Sequence, residues 1–311
     1  MRKESILLFI VAMLFIAGCT DGNDNSSGSV VPFIGGTDSV DIMFEEGAPP
    51  GEVYAGNQYP FDIIVTMNNV GEYDVNAEDV RVTIGGFNPA LFGLDELQKS
   101  PLDDLIATKK DPEGNILEGT TSSVEFLDLN YQDNLDATIG NLPVVADVCY
   151  KYGTKARAKI CVKKNVLSTK GDSICDINGE KSVQNSAGPV HITELKEAAQ
   201  GTNKLVISFK VVHLGDGQVY VPESFCPDER GSENRVWLDI NTGLEGLQCT
   251  GITSGSSTSG EVNLGVNGER TVRCTLDLSN IATDFEQSMS FELVYDYFKT
   301  LETGLTVRPN E

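Results

Sequence analysis

The chain has 311 residues, of which 46 are acidic and 23 basic, and its formal net charge is −23. This charge argues against nucleic-acid binding, because that function needs a basic surface to neutralise phosphates. With 40% hydrophobic and 22% charged residues, the composition is globular and excludes a wholly disordered chain. The length suggests about two domains.

Residues 1–18 are predicted to form an export signal. A short basic head precedes an unbroken apolar run over residues 6–17, which is too short to span a bilayer as a mature helix. The run ends in Ile16-Ala17-Gly18-Cys19, which resembles the lipobox of prokaryotic lipoproteins. The resemblance implies cleavage before Cys19 and a lipid on its thiol, so that Cys19 anchors the protein to the membrane. An ordinary secretory signal that happens to end in a cysteine is the alternative.

Residues 19–37 are predicted to form a flexible tether. They are rich in Asp, Asn, Gly and Ser, and such a composition cannot bury a core. Because the rest of the chain is acidic, anionic lipid headgroups repel it. We therefore expect the folded part to stand away from the membrane on this tether, outside the cytoplasm.

An internal repeat follows the tether. Three pairs of segments recur in the same order at offsets of 144 to 149 residues. The matched segments are 61–67 with 205–211, 127–129 with 276–278, and Tyr150-x-Tyr152 with Tyr295-x-Tyr297. The repeat predicts two related domains, 38–165 and 188–311, joined by a linker over residues 166–187.

Both predicted domains show the period-2 alternation of β-strands, and Gly, Asn, Asp and Pro punctuate the gaps. The alternation predicts strands near residues 39–44, 59–68, 78–84, 116–129, 143–152, 157–163, 189–195, 204–213, 218–221, 235–240, 261–265, 270–278, 289–297 and 303–307. Residues 89–99 have apolar residues at helical spacing and form either a short helix or an irregular loop. The fold class is thus all-β, with two tandem antiparallel sandwiches of immunoglobulin type.

One segment of the first domain supports this fold class. Residues 63–84 hold the turn Asn68-Asn69-Val70-Gly71 and a following Val80-x-Val82-x-Ile84 strand. This pattern is similar to CARDB-type domains, which are immunoglobulin-like modules of bacterial and archaeal surface proteins. The resemblance implies an adhesion or spacer module, and it carries over no catalytic residue.

The cysteines other than Cys19 are even in number, which predicts three disulfides in an exported chain. They are Cys149, Cys161, Cys175, Cys226, Cys249 and Cys274. The spacing lacks the C-x₂-C pattern of zinc sites, so zinc is the weaker interpretation.

Two of the disulfide pairs follow from position. Cys149 and Cys161 lie symmetrically about a turn predicted at Lys155, and the repeat has no cysteine at either matching position, so we predict that they pair across a hairpin. Cys249 and Cys274 flank a Gly/Ser-rich loop and form the second predicted pair. Cys175 and Cys226 remain for the third.

Few residues suggest chemistry, and we expect neither catalysis nor a cofactor. The two histidines, His191 and His213, lie in strand-like stretches and are expected on a solvated face or a sheet edge. The only tryptophan, Trp237, is predicted to pack in a sandwich core. The paired tyrosines of the repeat place both rings of each pair on one strand face, which we predict is the face beside the core.

An acidic segment is a weak candidate for a Ca²⁺ site. Its oxygen-bearing side chains are Asp128, Asn130, Asp133 and Asp136, a density that can hold the ion. The EF-hand spacing and its terminal glutamate are missing, so a solvated acidic turn is the alternative.

These features favour a lipid-anchored surface protein with a role in adhesion, envelope structure or binding of a protein or glycan partner. A solute- or carbohydrate-binding lipoprotein is one alternative, and it needs a pocket with aromatic lining. A subunit of a surface filament or layer, which pairs sheet edges between copies, is another.

Overall fold

A computed structural model describes residues 32–167, 174–228 and 231–310. These residues form an all-β structure of antiparallel sheets, which confirms the predicted fold class at the level of an all-β sandwich. Its strands are β1 (Val40–Phe44), β2 (Glu52–Tyr54), β3 (Phe61–Asn69), β4 (Val80–Gly85), β5 (Gln98–Lys99), β6 (Lys109–Lys110), β7 (Ile116–Leu117), β8 (Thr121–Leu129), β9 (Ile139–Val162), β10 (Gly179–Lys181), β11 (Val183–Asn185), β12 (Val190–Gln200), β13 (Lys204–His213), β14 (Gln218–Tyr220), β15 (Arg235–Asn241), β16 (Leu247–Thr250), β17 (Ser259–Asn263), β18 (Glu269–Asp277) and β19 (Phe285–Arg308). The described residues contain no helix that is long and apolar enough to cross a membrane.

The strands form one large sheet and three smaller ones. The large sheet has the order β17-β15-β19-β9-β4-β5, with β11, β14 and β2 paired to its long strands. The smaller sheets have the orders β1-β3-β8, β10-β12-β13-β18-β16 and β6-β7. Apart from two parallel pairings, β2 with β19 and an isolated bridge from Ala55 to Tyr131, the described pairings are antiparallel.

Alternation of apolar and polar residues builds the core. In β3, the side chains of Ile63, Val65 and Met67 are fully buried, whereas the residues between them are partly exposed. The inward residues of the three-stranded and five-stranded sheets pack with those of the large sheet in one continuous core. The alternating apolar side chains thus cover one face of each of these three sheets, as in a sandwich, whereas the residues of β6 and β7 are exposed.

The sequence repeat reappears as a structural repeat. The sheet path β1-β3-β8 has its counterpart in β12-β13-β18, and the pair β4-β9 has its counterpart in β15-β19. The last strand of each repeat, β9 or β19, has 24 residues, and the two pair with each other along nearly their whole length.

The pairing of β9 with β19 has a local two-fold relation. Lys151 lies opposite Asp296, which is its counterpart in the repeat at the offset of 145 that relates Tyr150 to Tyr295. Residues 32–311 form one compact unit. The two repeats, predicted as tandem domains, therefore share one sheet across this centre.

The hairpin predicted about Lys155 is wrong, because β9 continues through the residues expected to turn. Gly153, next to the predicted turn at Lys155, lies in β9 and pairs with Val294 of β19. A Cβ atom at this position would lie 2.5 Å from the ring of Tyr73. This glycine is thus required by close packing rather than by a turn.

The segment 89–99 forms a short 3₁₀ helix, Pro89–Phe92, and ends in β5. The Asn88 side chain accepts a hydrogen bond from the Ala90 amide, and Gly93 ends the helix with a φ of 67°. Phe92 is the buried residue of this helix and packs edge-on against Tyr131. Two further 3₁₀ helices in the described part of the chain are Ala77–Asp79 and Cys226–Asp228.

Candidate functional site

The predicted lipidation site, Cys19, lies outside the described residues, as do the signal peptide and most of the tether. Lipidation therefore stays a prediction. The six other cysteines form three disulfides, which suit an oxidising compartment outside the cytoplasm. The pairs are Cys149–Cys226, Cys161–Cys175 and Cys249–Cys274.

One predicted disulfide pair is confirmed and the other two are wrong. Cys249 and Cys274 are direct neighbours on β16 and β18, with Cα atoms 3.9 Å apart. Cys149 and Cys161 lie on the same continuous strand, so about 12 residues of extended chain hold them roughly 40 Å apart. Cys149 instead bonds Cys226, 77 residues further on, and Cys161 bonds Cys175.

The acidic segment begins at the end of β8 and continues as irregular chain beside the loop that follows β2. The Asp128 amide donates to the Asp62 carboxylate, and the Asn130 amide group donates to the Asp128 carbonyl. The Asp133 carbonyl accepts a hydrogen bond from the Gly56 amide. Within the described residues, no group of three or more His, Cys, Asp or Glu side chains is placed to hold a metal ion. The Ca²⁺ site, which includes Asp136, stays a prediction.

Both histidines lie in the second repeat, His191 near the start of β12 and His213 at the end of β13. The His191 Nε2 atom is 3.1 Å from the Gly36 carbonyl oxygen, and the His213 Nε2 atom is 3.4 Å from the Tyr297 hydroxyl. Burial lowers the pKa of both imidazoles below the ordinary range. Both rings are therefore neutral at physiological pH and serve as hydrogen-bonding groups of the framework.

Trp237 is not a core residue, contrary to the prediction. Its neighbours on β15, Val236 and Leu238, are fully buried, whereas Trp237 is only partly buried. Since successive side chains of a strand point to opposite faces, the indole lies on the outer face of the large sheet.

Four buried tyrosines occupy the inner face at the centre of the β9–β19 pair, which confirms that they face the core. The rings of Tyr150 and Tyr297 are 5.8 Å apart, and those of Tyr152 and Tyr295 are 6.2 Å apart. Burial raises the pKa of Tyr297 to about 12 and the pKa values of the other three still more clearly above the ordinary range. These hydroxyls stay protonated and make structural hydrogen bonds.

Each tyrosine hydroxyl has a partner from an adjacent segment. The Tyr150 hydroxyl lies 2.8 Å from Ser39 Oγ, and the Tyr295 hydroxyl lies 2.9 Å from Thr154 Oγ1. The remaining two bonds are a donation from Tyr152 to the Ala187 carbonyl and a donation from the Gly217 amide to Tyr297. Satisfied hydrogen bonds at this depth fix the register of the two long strands.

The outer face at the same centre is covered by the segment that leads to Cys226. The buried Asp296 carboxylate accepts hydrogen bonds from the Phe225 amide at 2.9 Å and the Ser224 hydroxyl at 3.3 Å. Burial raises the pKa of this carboxyl above its usual range. The Arg81 guanidinium lies 3.5 Å from the centre of the Phe225 ring. No pattern in the sequence predicts this covering segment, because it contacts residues that are far from it in the chain.

Two open grooves are potential binding surfaces. The first, here called the β1–β19 groove, has a volume of about 380 Å³ and is lined by Asp41, Ile42, Asp216, Phe298, Thr300 and Leu301. The second, here called the outer groove, has a volume of about 700 Å³ and is lined by Phe33, Lys155, Arg157, Asp239, Asn241 and Glu292. Because both linings mix charged, amide and apolar groups, they suit polypeptide or glycan ligands better than an apolar small molecule.

A third surface is an exposed aromatic pair near the acidic segment, here called the Tyr54–Tyr59 patch. The two rings are 5.4 Å apart and tilted by 55°, and the side chains are 44% and 50% exposed. Planar polar groups surround them. Asn57 accepts a hydrogen bond from the Gln132 amide, and Arg308, the strand partner of Tyr54, pairs through two nitrogens with Glu52.

Neither family models nor curated proteins match this chain. Among solved structures, it is weakly similar to the envelope protein VP37 from White Spot Syndrome Virus. That match has 10% identity, covers 47% of this chain and 97% of VP37, and has a TM-score of 0.26. The serine-rich repeat adhesion glycoprotein Srr1 from Streptococcus agalactiae is also similar, with 10% identity, coverage of 88% and 96%, and a TM-score of 0.18. These scores are too low to support an argument about function.

Proposed function

We propose that this chain is a lipid-anchored, extracytoplasmic surface protein that binds a protein or glycan partner and has no catalytic role. Three disulfides support an oxidising compartment, and the lipobox-like sequence at Cys19 with the tether to residue 37 supports attachment to the membrane.

The observation that carries the proposal is the shared sheet. Two repeats joined through 24-residue strands form a single compact unit with one continuous core. Tyrosines fill the inner face at the centre of this sheet. The segment that leads to Cys226, which is bonded to Cys149, closes the outer face. The groups available to a ligand are therefore on open surfaces, which is the geometry of a binding or structural module.

Intact mass spectrometry of protein from its native membrane tests the anchoring. We expect a chain that begins at Cys19 and carries a lipid, and a gain of six hydrogens when the three disulfides are reduced. The variant Cys19→Ala should carry no lipid and should be absent from the membrane fraction. The matched control Thr20→Ala should carry the lipid and remain in the membrane fraction. An unlipidated native chain with free thiols would remove the basis of the proposal.

Glycan binding is a second candidate function, favoured by the Tyr54–Tyr59 patch. Exposed rings can pack on the CH face of a sugar, while planar amide and guanidinium groups bind its hydroxyls. Because the chain is strongly acidic, we expect neutral rather than anionic sugars. Tyr54→Ala and Tyr59→Ala should each abolish retention on a neutral glycan column. Leu102→Ala, at an exposed site elsewhere, is the control, and equal retention of all variants would exclude this patch.

A further inference from the structure

The edge of β19 that faces away from β9 is only partly paired. On that edge, β15 pairs with residues 290–294, β14 with residues 296–298 and β2 with residues 306–308. No other strand among residues 32–167, 174–228 and 231–310 pairs with the stretch 299–305 on this side. The unpaired stretch forms one wall of the β1–β19 groove.

The backbone of this stretch is oriented for pairing. The Thr306 amide donates to the Gly51 carbonyl on the open edge. Since alternate residues of a strand direct their amide and carbonyl groups to the same edge, Thr300, Glu302 and Gly304 direct theirs into the groove. The opposite wall is β1, which pairs only with β3 in the described structure and so has a free edge of its own. The groove thus lies between two unpaired strand edges.

The other repeat shows what fits such a groove. The counterparts of residues 301–303 are residues 156–158 of β9, at the repeat offset of 145, and β11 pairs with these residues. Asn185 of β11 also bonds the backbone of β12, the counterpart of β1. Its side-chain amide donates to the Ile192 carbonyl at 3.0 Å and accepts from the Ile192 amide at 2.9 Å. A short extended segment therefore fills the equivalent groove and contacts both strands.

The residues that precede β1, the positional counterpart of β11, are held elsewhere. The Ile34 and Gly35 amides each donate to the Glu72 carboxylate at 2.9 Å. The Gly36 carbonyl accepts a hydrogen bond from the Gly188 amide at 3.1 Å. This segment is therefore bound on the other side of the molecule and does not fill the β1–β19 groove.

We propose that the β1–β19 groove binds an extended segment of a partner protein, which adds as a strand to the open edge of β19. Because β14 and β2 flank the seven-residue opening, a single extended segment can enter, whereas the broad sheet edge of a second copy cannot. Asp41 and Glu302 flank the site, while Lys299 is already paired with Asp216 at 3.0 Å. The negative charge of Asp41 and Glu302 favours a partner segment with basic residues beside its strand. This inference rests on the partner-binding part of the proposed function.

The probe is a synthetic peptide that copies residues 181–187 of this chain, which include β11 and a lysine. Binding to the full-length protein in detergent is measured by fluorescence anisotropy, and amide hydrogen exchange locates the site. We expect saturable binding and slower exchange at Thr300 and Glu302. A peptide with Gln184→Pro should bind roughly tenfold more weakly, because proline removes a backbone donor.

Variants of the protein provide a matched comparison. Glu302→Pro removes a donor from the open edge, where proline is tolerated, and should weaken binding roughly tenfold. Glu302→Ala keeps the donor and should retain most of the affinity. If Glu302→Pro does not fold, slower amide exchange at Thr300 and Glu302 of the unmodified protein in the presence of the peptide tests whether the peptide binds at this edge.

Equal affinity for both peptides, or protection outside residues 299–305, would overturn the inference. Protection of Thr300 that grows with protein concentration in the absence of peptide would assign the groove to a second copy instead, as in a filament or layer. The anchoring experiment is independent of these results, so failure of the groove and failure of the surface role can be told apart.

Discussion

Glu197 gives the structure a specific dependence of stability on pH. Its side chain is buried, with only 4% of the residue exposed, at the end of the core beside the Cys161–Cys175 disulfide. Its Oε1 atom accepts a hydrogen bond from the Cys161 amide at 2.8 Å, and its Oε2 atom lies 3.2 Å from the Lys181 ammonium. Burial outweighs both contacts and raises the pKa of this carboxyl from 4.5 to about 7.

The sign of the effect follows from proton linkage. A carboxyl whose pKa is higher in the folded state binds its proton more tightly there, so its contribution to stability is complete below pH 4.5. That contribution is lost as the pH rises through 7. At about 1.4 kcal/mol per pKa unit, the loss amounts to about 3 kcal/mol.

The variant Glu197→Gln removes the titration and keeps an oxygen acceptor for the Cys161 amide. Urea unfolding between pH 5 and pH 9, at intervals of about one unit, should show that the free energy of unfolding of the unmodified protein falls by about 3 kcal/mol more than that of the variant. Glu180→Gln, at an exposed site on β10, is the control and should follow the unmodified protein. Parallel pH profiles for Glu197→Gln and the unmodified protein would refute the reasoning.

Two further predictions concern the links across the centre of the molecule. Replacing both cysteines of the Cys149–Cys226 disulfide should lower the free energy of unfolding by about 4 to 5 kcal/mol, against about 3 kcal/mol for Cys161–Cys175, because the closed loops span 77 and 14 residues. Denaturant unfolding tests this order, and a reversed order would contradict it. Tyr295→Phe should cost about 1 kcal/mol, because the buried Thr154 hydroxyl loses its partner. Thermal unfolding measures this cost, and Tyr59→Phe, on the surface, should be neutral.

The positions of the strands and their repetition could be predicted from the sequence. The alternation predicted strands over residues 59–68 and 204–213, within a few residues of β3 and β13, because a strand with one buried face needs apolar side chains at every second position. The even number of exported cysteines indicated disulfides, and Cys249 and Cys274 could be paired because they flank a Gly/Ser-rich loop within one predicted domain. The repeated tyrosines were expected beside the core, where they lie.

The way in which the repeats combine depends on contacts between distant segments and could not be predicted from local patterns. Gly153 and Lys155 resemble a turn when they are read locally, but pairing with β19, about 140 residues further on, holds them in one continuous strand. That continuity separates Cys149 from Cys161 and brings Cys149 to Cys226. A local pattern contains no information about such a partner, because cross-strand hydrogen bonds and packing between distant segments outweigh local turn preferences.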